Sequence, residues 1–67
     1  MKLTKAQRVT LRIATDFGGT IKVYPDQYSV VNMLKAHGLM IDNGMIIDRR
    51  ASITDAGRRA LAEAESK

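Results

Sequence analysis

The sequence predicts an α+β fold in the order helix, strand, helix, β-hairpin, helix, in a single domain over residues 1–67. Thr4-Lys5-Ala6-Gln7 has the form of a capping box, which marks the start of a first helix. Asn43-Gly44 lies between two apolar segments, the strongest short-range indication of a two-residue hairpin turn. Thr54 precedes a helical pattern of small residues and fits as the N-cap of a last helix. A chain of 67 residues is too short for a second domain.

The first helix is expected to run from Thr4 to Gly18-Gly19, since glycine commonly follows a helix C-terminus. At 100° per residue, six apolar side chains fall within an arc of about 140° that we expect to face the core: Leu3, Ala6, Val9, Ile13, Ala14 and Phe17. Another side, about 60° wide, carries only cations: Lys5, Arg8 and Arg12. The first helix is therefore predicted to be amphipathic, with a basic stripe.

The middle of the chain predicts a short strand followed by a second helix. Residues 20–24 alternate as a strand does, and Pro25 ends the pattern. Asp26 is placed to cap a helix that reaches about His37, with Gly38 as the left-handed residue after it. The helical wheel puts Val30, Val31, Met33, Leu34 and His37 on the inner side, and Tyr28, Ser29, Asn32, Lys35 and Ala36 on the outer side.

The last third of the chain predicts a hairpin and a closely packed helix. Residues 39–42 are expected to pair with residues 45–48 across Asn43-Gly44. In the last helix a small-residue stripe can pack on the first helix or on a second copy of the chain: Ala56, Gly57, Ala60, Leu61 and Ala64. Arg58 and Arg59 are expected to form ion pairs with Asp55 and Glu63.

Composition excludes several classes of function. The absence of cysteine excludes a disulfide framework and a thiolate zinc site, and His37, the only histidine, is expected to cap helix carbonyls. The longest apolar runs are too short for a membrane span or a signal peptide, so the cytoplasm is the expected compartment. We find no catalytic constellation or phosphate-binding loop, and therefore expect neither an enzyme nor a cofactor. The net charge of +4 favours an acidic partner.

Two segments carry a resemblance to a known family. Residues 29–40 look like the end of a recognition helix that runs into a "GL" strand, and residues 53–61 resemble the "LT-x-x-G-R-x-x-L" segment after the wing of MarR-like regulators. Asp48-Arg49-Arg50 is similar to the "D-x-R" of a MarR wing. The chain thus resembles a winged-helix domain. This resemblance implies a small DNA-binding regulator of transcription, encoded by a bacterium or a phage, for which a homodimer is a possible state.

The resemblance implies where duplex DNA would bind. The outer side of the second helix would enter the major groove through Tyr28, Ser29, Asn32 and Lys35. Arg49 and Arg50 at the base of the wing would lie near the DNA backbone or minor groove, and Lys5, Arg8 and Arg12 would add phosphate contacts. The chain departs from the family in two respects: residues 18–25 leave no room for the separate second helix of a helix-turn-helix, and the wing is a tight Asn-Gly turn with only two residues between Arg50 and Ile53.

Other interpretations stay open. The polar outer face of the second helix and the basic stripe of the first are also typical of ordinary helix faces exposed to solvent. Arg49 or Arg50 could form an ion pair with Asp42 or Asp48 instead of binding DNA. Residues 1–25 hold five cations and one acidic side chain, whereas the remainder of the chain is balanced. The positive charge therefore lies outside the recognition helix and wing, which favours an alternative: a protein-binding module, such as a phage-encoded inhibitor, that engages an acidic protein surface. RNA binding is a weaker third possibility.

Overall fold

The computed structural model of the chain describes residues 2–43 and 49–66. Within them, three α-helices and a three-stranded antiparallel sheet follow the predicted order. The elements are α1 (Lys5–Asp16), β1 (Thr20–Lys22), α2 (Tyr28–Ala36), β2 (Met40–Asp42), β3 (Arg50–Ile53) and α3 (Asp55–Glu65). The α+β class inferred from the sequence is confirmed.

The sheet has the strand order β1-β3-β2, so the last strand lies in the centre. Ile21 is the register partner of Ala51, and Met40 is the partner of Ile53. These four side chains are buried on one face of the sheet, where the helices pack. Because side chains alternate along a strand, Thr20, Lys22, Ile41, Arg50 and Ser52 belong to the opposite face.

Local signals place the start of α1 and the C-terminal ends of α1 and α2 as predicted. Thr4 Oγ1 accepts a hydrogen bond from the backbone N–H of Gln7, and Gln7 Oε1 accepts one from the N–H of Thr4, which completes the capping box. After α1, Gly18 and Gly19 adopt φ of +85° and +104°, and Gly38 after α2 adopts +74°. Residues with side chains rarely adopt this region, so glycine fits all three turns.

The start of α2 differs from the prediction. Residues Pro25–Gln27 form a 3₁₀ turn that leads directly into α2 at Tyr28, and the N-cap residue of α2 is Gln27 rather than Asp26. No side chain caps either element; instead, the N–H of Gln27 donates to the carbonyl of Tyr24, and the N–H of Tyr28 donates to the carbonyl of Pro25. β1 is also shorter than predicted and ends at Lys22, before Val23 and Tyr24.

The hairpin pairing also corrects the prediction. Asp42 is the register partner of Ala51, and the N–H of Asn43 donates to the carbonyl of Arg50. Residues 43–49 therefore connect the two strands. A two-residue turn at Asn43-Gly44 would instead place Asp42 opposite Met45. Gly44 and the predicted partner strand, residues 45–48, lie outside the described residues.

The core is a single cluster of apolar side chains between the sheet and the helices. Leu11, Leu34 and Met40 are the largest fully buried members. The N-terminus of α3 is held against the end of α2: Thr54 Oγ1 accepts from the N–H of Gly57 and donates to the carbonyl of Gly38. From there α3 runs along α1, with Leu61 buried and Ala60 and Ala64 packed against the core.

The apolar face predicted for α1 is only partly correct: of its six residues, Leu3 and Ala14 are buried and the other four are exposed. The buried positions are Gln7, Thr10, Leu11 and Ala14, with Leu3 before the helix, whereas Val9, Ile13 and Phe17 are 48%, 37% and 74% exposed. The buried face lies roughly 90° around the helix from the predicted one. Burial of the two polar residues is tolerated because Gln7 bonds within the capping box and Thr10 Oγ1 donates to the carbonyl of Ala6.

Two smaller corrections concern α2 and α3. Met33 and His37 were predicted to face inward but are exposed, and Ala56 of the small-residue stripe is exposed as well. Within the described residues, Arg58 and Arg59 have no carboxylate at ion-pair distance, so their predicted pairs with Asp55 and Glu63 are absent.

Candidate nucleic-acid interface

The outer face of α2 is polar and partly exposed. Ser29 and Asn32 are exposed, one helical turn apart, and within the described part of the chain their side chains make no hydrogen bond. Met33 lies beside them and is half exposed. A serine hydroxyl and an asparagine amide with unused donors and acceptors are chemically able to bind phosphate and a base edge.

Arg49 lies against the first turn of α2. Its guanidinium carbon lies 4.5 Å from the centre of the Tyr28 ring, within the range of a cation–π contact. The backbone positions it, because the carbonyl of Arg49 accepts a hydrogen bond from the N–H of Val23 at the end of β1. Tyr28 was predicted to face outward, but it is half-buried and packs against the core. The contact brings a cation from the hairpin to the end of α2 that carries Ser29.

Lys35 is engaged within the protein. Its Nζ lies 2.6 Å from Oδ2 of Asp42, which joins the last turn of α2 to β2. The Lys35 side chain is only 28% exposed. Asp42, which was one possible partner for Arg49 or Arg50, is therefore occupied by Lys35. A contact between Lys35 and DNA requires this ion pair to open.

Arg50 belongs to a different surface from Arg49. It is exposed on the outer face of the sheet, where its register partner on β1 is Lys22. Two cations thus occupy directly opposite positions on neighbouring strands, an arrangement that ordinarily destabilises a strand pair. The Nζ of Lys22 also lies 5.7 Å from the centre of the Tyr24 ring.

The three cations of α1 are not equivalent. Lys5 and Arg8 are exposed, and no carboxylate of the described residues lies within ion-pair distance of either. Arg12 Nη1 lies 2.6 Å from Glu65 Oε2 on α3, and Arg12 Nε lies 3.5 Å from Asp16 Oδ1. The hydrogen bond to Glu65, together with the charges of Glu65 and Asp16, raises the pKa of Arg12 above its ordinary value. Arg12 therefore links α1 to α3 through Glu65.

The structure thus separates the predicted binding residues into three groups. Tyr28, Ser29, Asn32, Lys35 and Arg49 lie on or against α2. Arg50 lies on the outer face of the sheet, and the third group, Lys5, Arg8 and Arg12, lies along α1. Sequence reasoning missed the exposed apolar residues beside the third group, because it assigned Val9, Ile13 and Phe17 to the core. The available signal was Leu11, an apolar residue left outside the predicted apolar arc.

In residues 2–43 and 49–66 no three side chains of His, Asp or Glu come together in a way that could hold a metal ion. No helix in this part of the chain is both long enough and apolar enough to span a bilayer.

Comparison of the chain with protein-family models, with curated proteins and with solved structures finds no match in any of the three.

Proposed function

We propose that the protein is a small winged-helix-like DNA-binding protein, a regulator or accessory factor of transcription that acts in the cytoplasm. In this proposal α2 enters the major groove and the β2–β3 hairpin lies along the DNA backbone. The observation that carries it is the position of Arg49 over Tyr28, which joins a hairpin cation to the exposed polar face of α2. Helix and hairpin thereby offer one continuous surface with both base-reading and phosphate-binding groups.

Each residue of this surface has a distinct role in the proposal. Asn32 is suited to read adenine, because its amide can donate and accept simultaneously in the major groove. Ser29 near the first turn of α2 and the Arg49 guanidinium are suited to phosphate. Lys35 contributes little, since its ammonium group is already paired with Asp42.

The first test is selection of bound duplexes from a random-sequence DNA pool, followed by affinity measurements on the selected site. Asn32→Ala is expected to lower affinity for that site by about 5- to 150-fold, the cost of about 1–3 kcal/mol for one bidentate base contact, and to relax the preference at one base pair. Ser66→Ala, an exposed substitution at the far end of α3, is the control and is expected to change neither quantity.

Salt dependence tests the phosphate contact. Arg49→Ala is expected to weaken binding to all sequences and to reduce the slope of log K against log salt by about 0.9. Arg59→Ala is the matched control, since it removes the same charge from an exposed position on α3. Equal effects of the two substitutions, or binding to the selected site no tighter than about 10⁻⁴ M, would contradict the proposal.

An acidic protein partner is the second candidate function, and the exposed surface of α1 favours it.

A further inference from the structure

Three exposed apolar side chains of α1, together with Tyr24, form a continuous row, which we call the ridge. Val9, Ile13 and Phe17 are spaced four residues apart, so they follow one another along the helix over about 12 Å. Tyr24, which is 55% exposed, extends the row beyond the end of α1, because it lines the same groove as Ile13 and Phe17. Single exposed apolar side chains are ordinary, but a contiguous group of four is typical of an interaction site.

Two open grooves meet at Ile13. The larger, about 500 Å³, lies between α1 and β1 and is lined by Phe17, Tyr24, Lys22 and Arg50 among others. The smaller, about 290 Å³, lies on the other side of Ile13 and is lined by Lys5, Arg8 and Val9 together with the Arg12–Glu65 pair. A ridge of side chains four residues apart, with grooves beside it, is the shape against which a second helix packs.

The charges around this ridge are mostly positive. Among the described residues, five cations line its two grooves (Lys5, Arg8, Arg12, Lys22 and Arg50) against the two carboxylates of Asp16 and Glu65, which gives these side chains a formal net charge of +3. Both carboxylates already bind Arg12.

We propose that Val9, Ile13, Phe17 and Tyr24, with the surrounding cations, form a docking surface for an acidic amphipathic helix of another protein. The apolar face of that helix would cover the ridge, and its flanking Asp or Glu side chains would meet Lys5 and Arg8 on one side and Lys22 on the other. A second copy of this chain is a poorer occupant, because it would bring two surfaces of net charge +3 together. Docking at this surface is independent of DNA binding by α2.

The test uses two synthetic peptides of about 18 residues, long enough to cover the ridge as a helix. Both carry leucine on one face, and the other face carries glutamate and alanine in the first peptide and lysine and alanine in the second. Binding to the full chain is measured by calorimetry and by backbone NMR. The glutamate peptide is expected to perturb residues 9–24 and to bind at least about tenfold more tightly than the lysine peptide.

Variants then separate the apolar from the charged contribution. Ile13→Ser and Phe17→Ser are each expected to weaken binding of the glutamate peptide at least about tenfold. Ile41→Ser is the matched control: it removes an apolar side chain that is 56% exposed on β2, and it is expected to leave binding unchanged. Lys5→Glu combined with Arg8→Glu is expected to reverse the preference between the two peptides.

Several results would overturn the proposal. These are no perturbation of α1 at about 1 mM glutamate peptide, equal affinity for both peptides, or an equal loss in Ile41→Ser and Ile13→Ser. A duplex DNA that perturbs the same α1 residues, with an affinity that Lys5→Ala lowers as much as Arg49→Ala does, would show the surface to be a phosphate contact instead. Circular dichroism of each variant confirms that it is folded.

Discussion

Gly57 shows how one residue can link a sequence motif to the packing of the whole domain. A Cβ added to Gly57 would lie 2.7 Å from Cγ1 of Ile53 and closer still to the carbonyl oxygen of Leu39. Both neighbours are held in place, since the same Leu39 carbonyl accepts the N–H of Thr54 and Ile53 is buried. The glycine in the segment over residues 53–61 therefore permits α3 to pack directly on the backbone before β2.

We predict that Gly57→Ala destabilises the protein. Helix propensity alone would favour alanine by about 1 kcal/mol. Overpacking costs about 1–3 kcal/mol, and we expect a cost near the upper end of this range because the added methyl group would clash with a carbonyl oxygen. The measurement is urea unfolding followed by circular dichroism. Ala62→Gly on the exposed side of α3 calibrates helix propensity in the same helix. A higher unfolding midpoint for Gly57→Ala than for wild type would show that the packing can relax.

At the same scale, the sequence predicts residues well where their partners are close along the chain. Thr4 and Thr54 were both predicted as N-caps, and both hydroxyls accept the expected backbone N–H, because a cap depends on only three neighbouring residues. The contacts of Arg49 with Tyr28 and of Lys35 with Asp42 were not predicted. They depend on the register of β2 against β3 and on where the hairpin meets α2, which no local pattern determines.

Among the elements, α1 departs furthest from its prediction. The helical wheel favoured the largest group of apolar side chains, which includes Val9 and Ile13 and leaves Leu11 outside. The core instead covers Leu11 and Ala14, whose neighbours Gln7 and Thr10 satisfy their polar atoms locally. Periodicity shows that a helix has an apolar side, but where two such sides compete, packing against α2, α3 and the sheet decides between them.

Stability measurements distinguish the two faces of α1. We predict that Val9→Ser and Ile13→Ser each change the free energy of unfolding by no more than about 0.5 kcal/mol, since both positions are exposed and serine has a similar helix propensity. Leu11→Ala, at a fully buried position, is expected to cost about 2–5 kcal/mol. Urea unfolding of the three variants provides the comparison. If Val9→Ser lowered the free energy of unfolding as much as Leu11→Ala does, Val9 would belong to the core.

In the whole molecule, most of the excess positive charge and the exposed apolar ridge of α1 lie on the same side. The net charge of +4 comes from residues 1–25, and the structure places most of those cations around the exposed ridge of α1. The small-residue stripe of α3, which could have packed on a second copy, is used within the chain, because Gly57 and Leu61 are buried and Ala60 and Ala64 pack on the core. Among the described residues, the ridge of α1 is the longest row of exposed apolar side chains, and it is a candidate for the self-association that the sequence left possible.

Ionic strength should control self-association through that ridge. At about 0.1 M salt charges act over about 10 Å, so two surfaces of net charge +3 repel each other, whereas at about 1 M salt the range falls to about 3 Å while apolar attraction persists. We predict that sedimentation velocity finds a monomer at the lower salt concentration and an increased fraction of dimer at the higher one. Phe17→Ser should suppress that increase and Ile41→Ser should not, because only Phe17 belongs to the ridge. A stable dimer at low salt that Phe17→Ser leaves intact would mean that the chain pairs through a different face, and the ridge would then stay open to an acidic partner in the dimer as well.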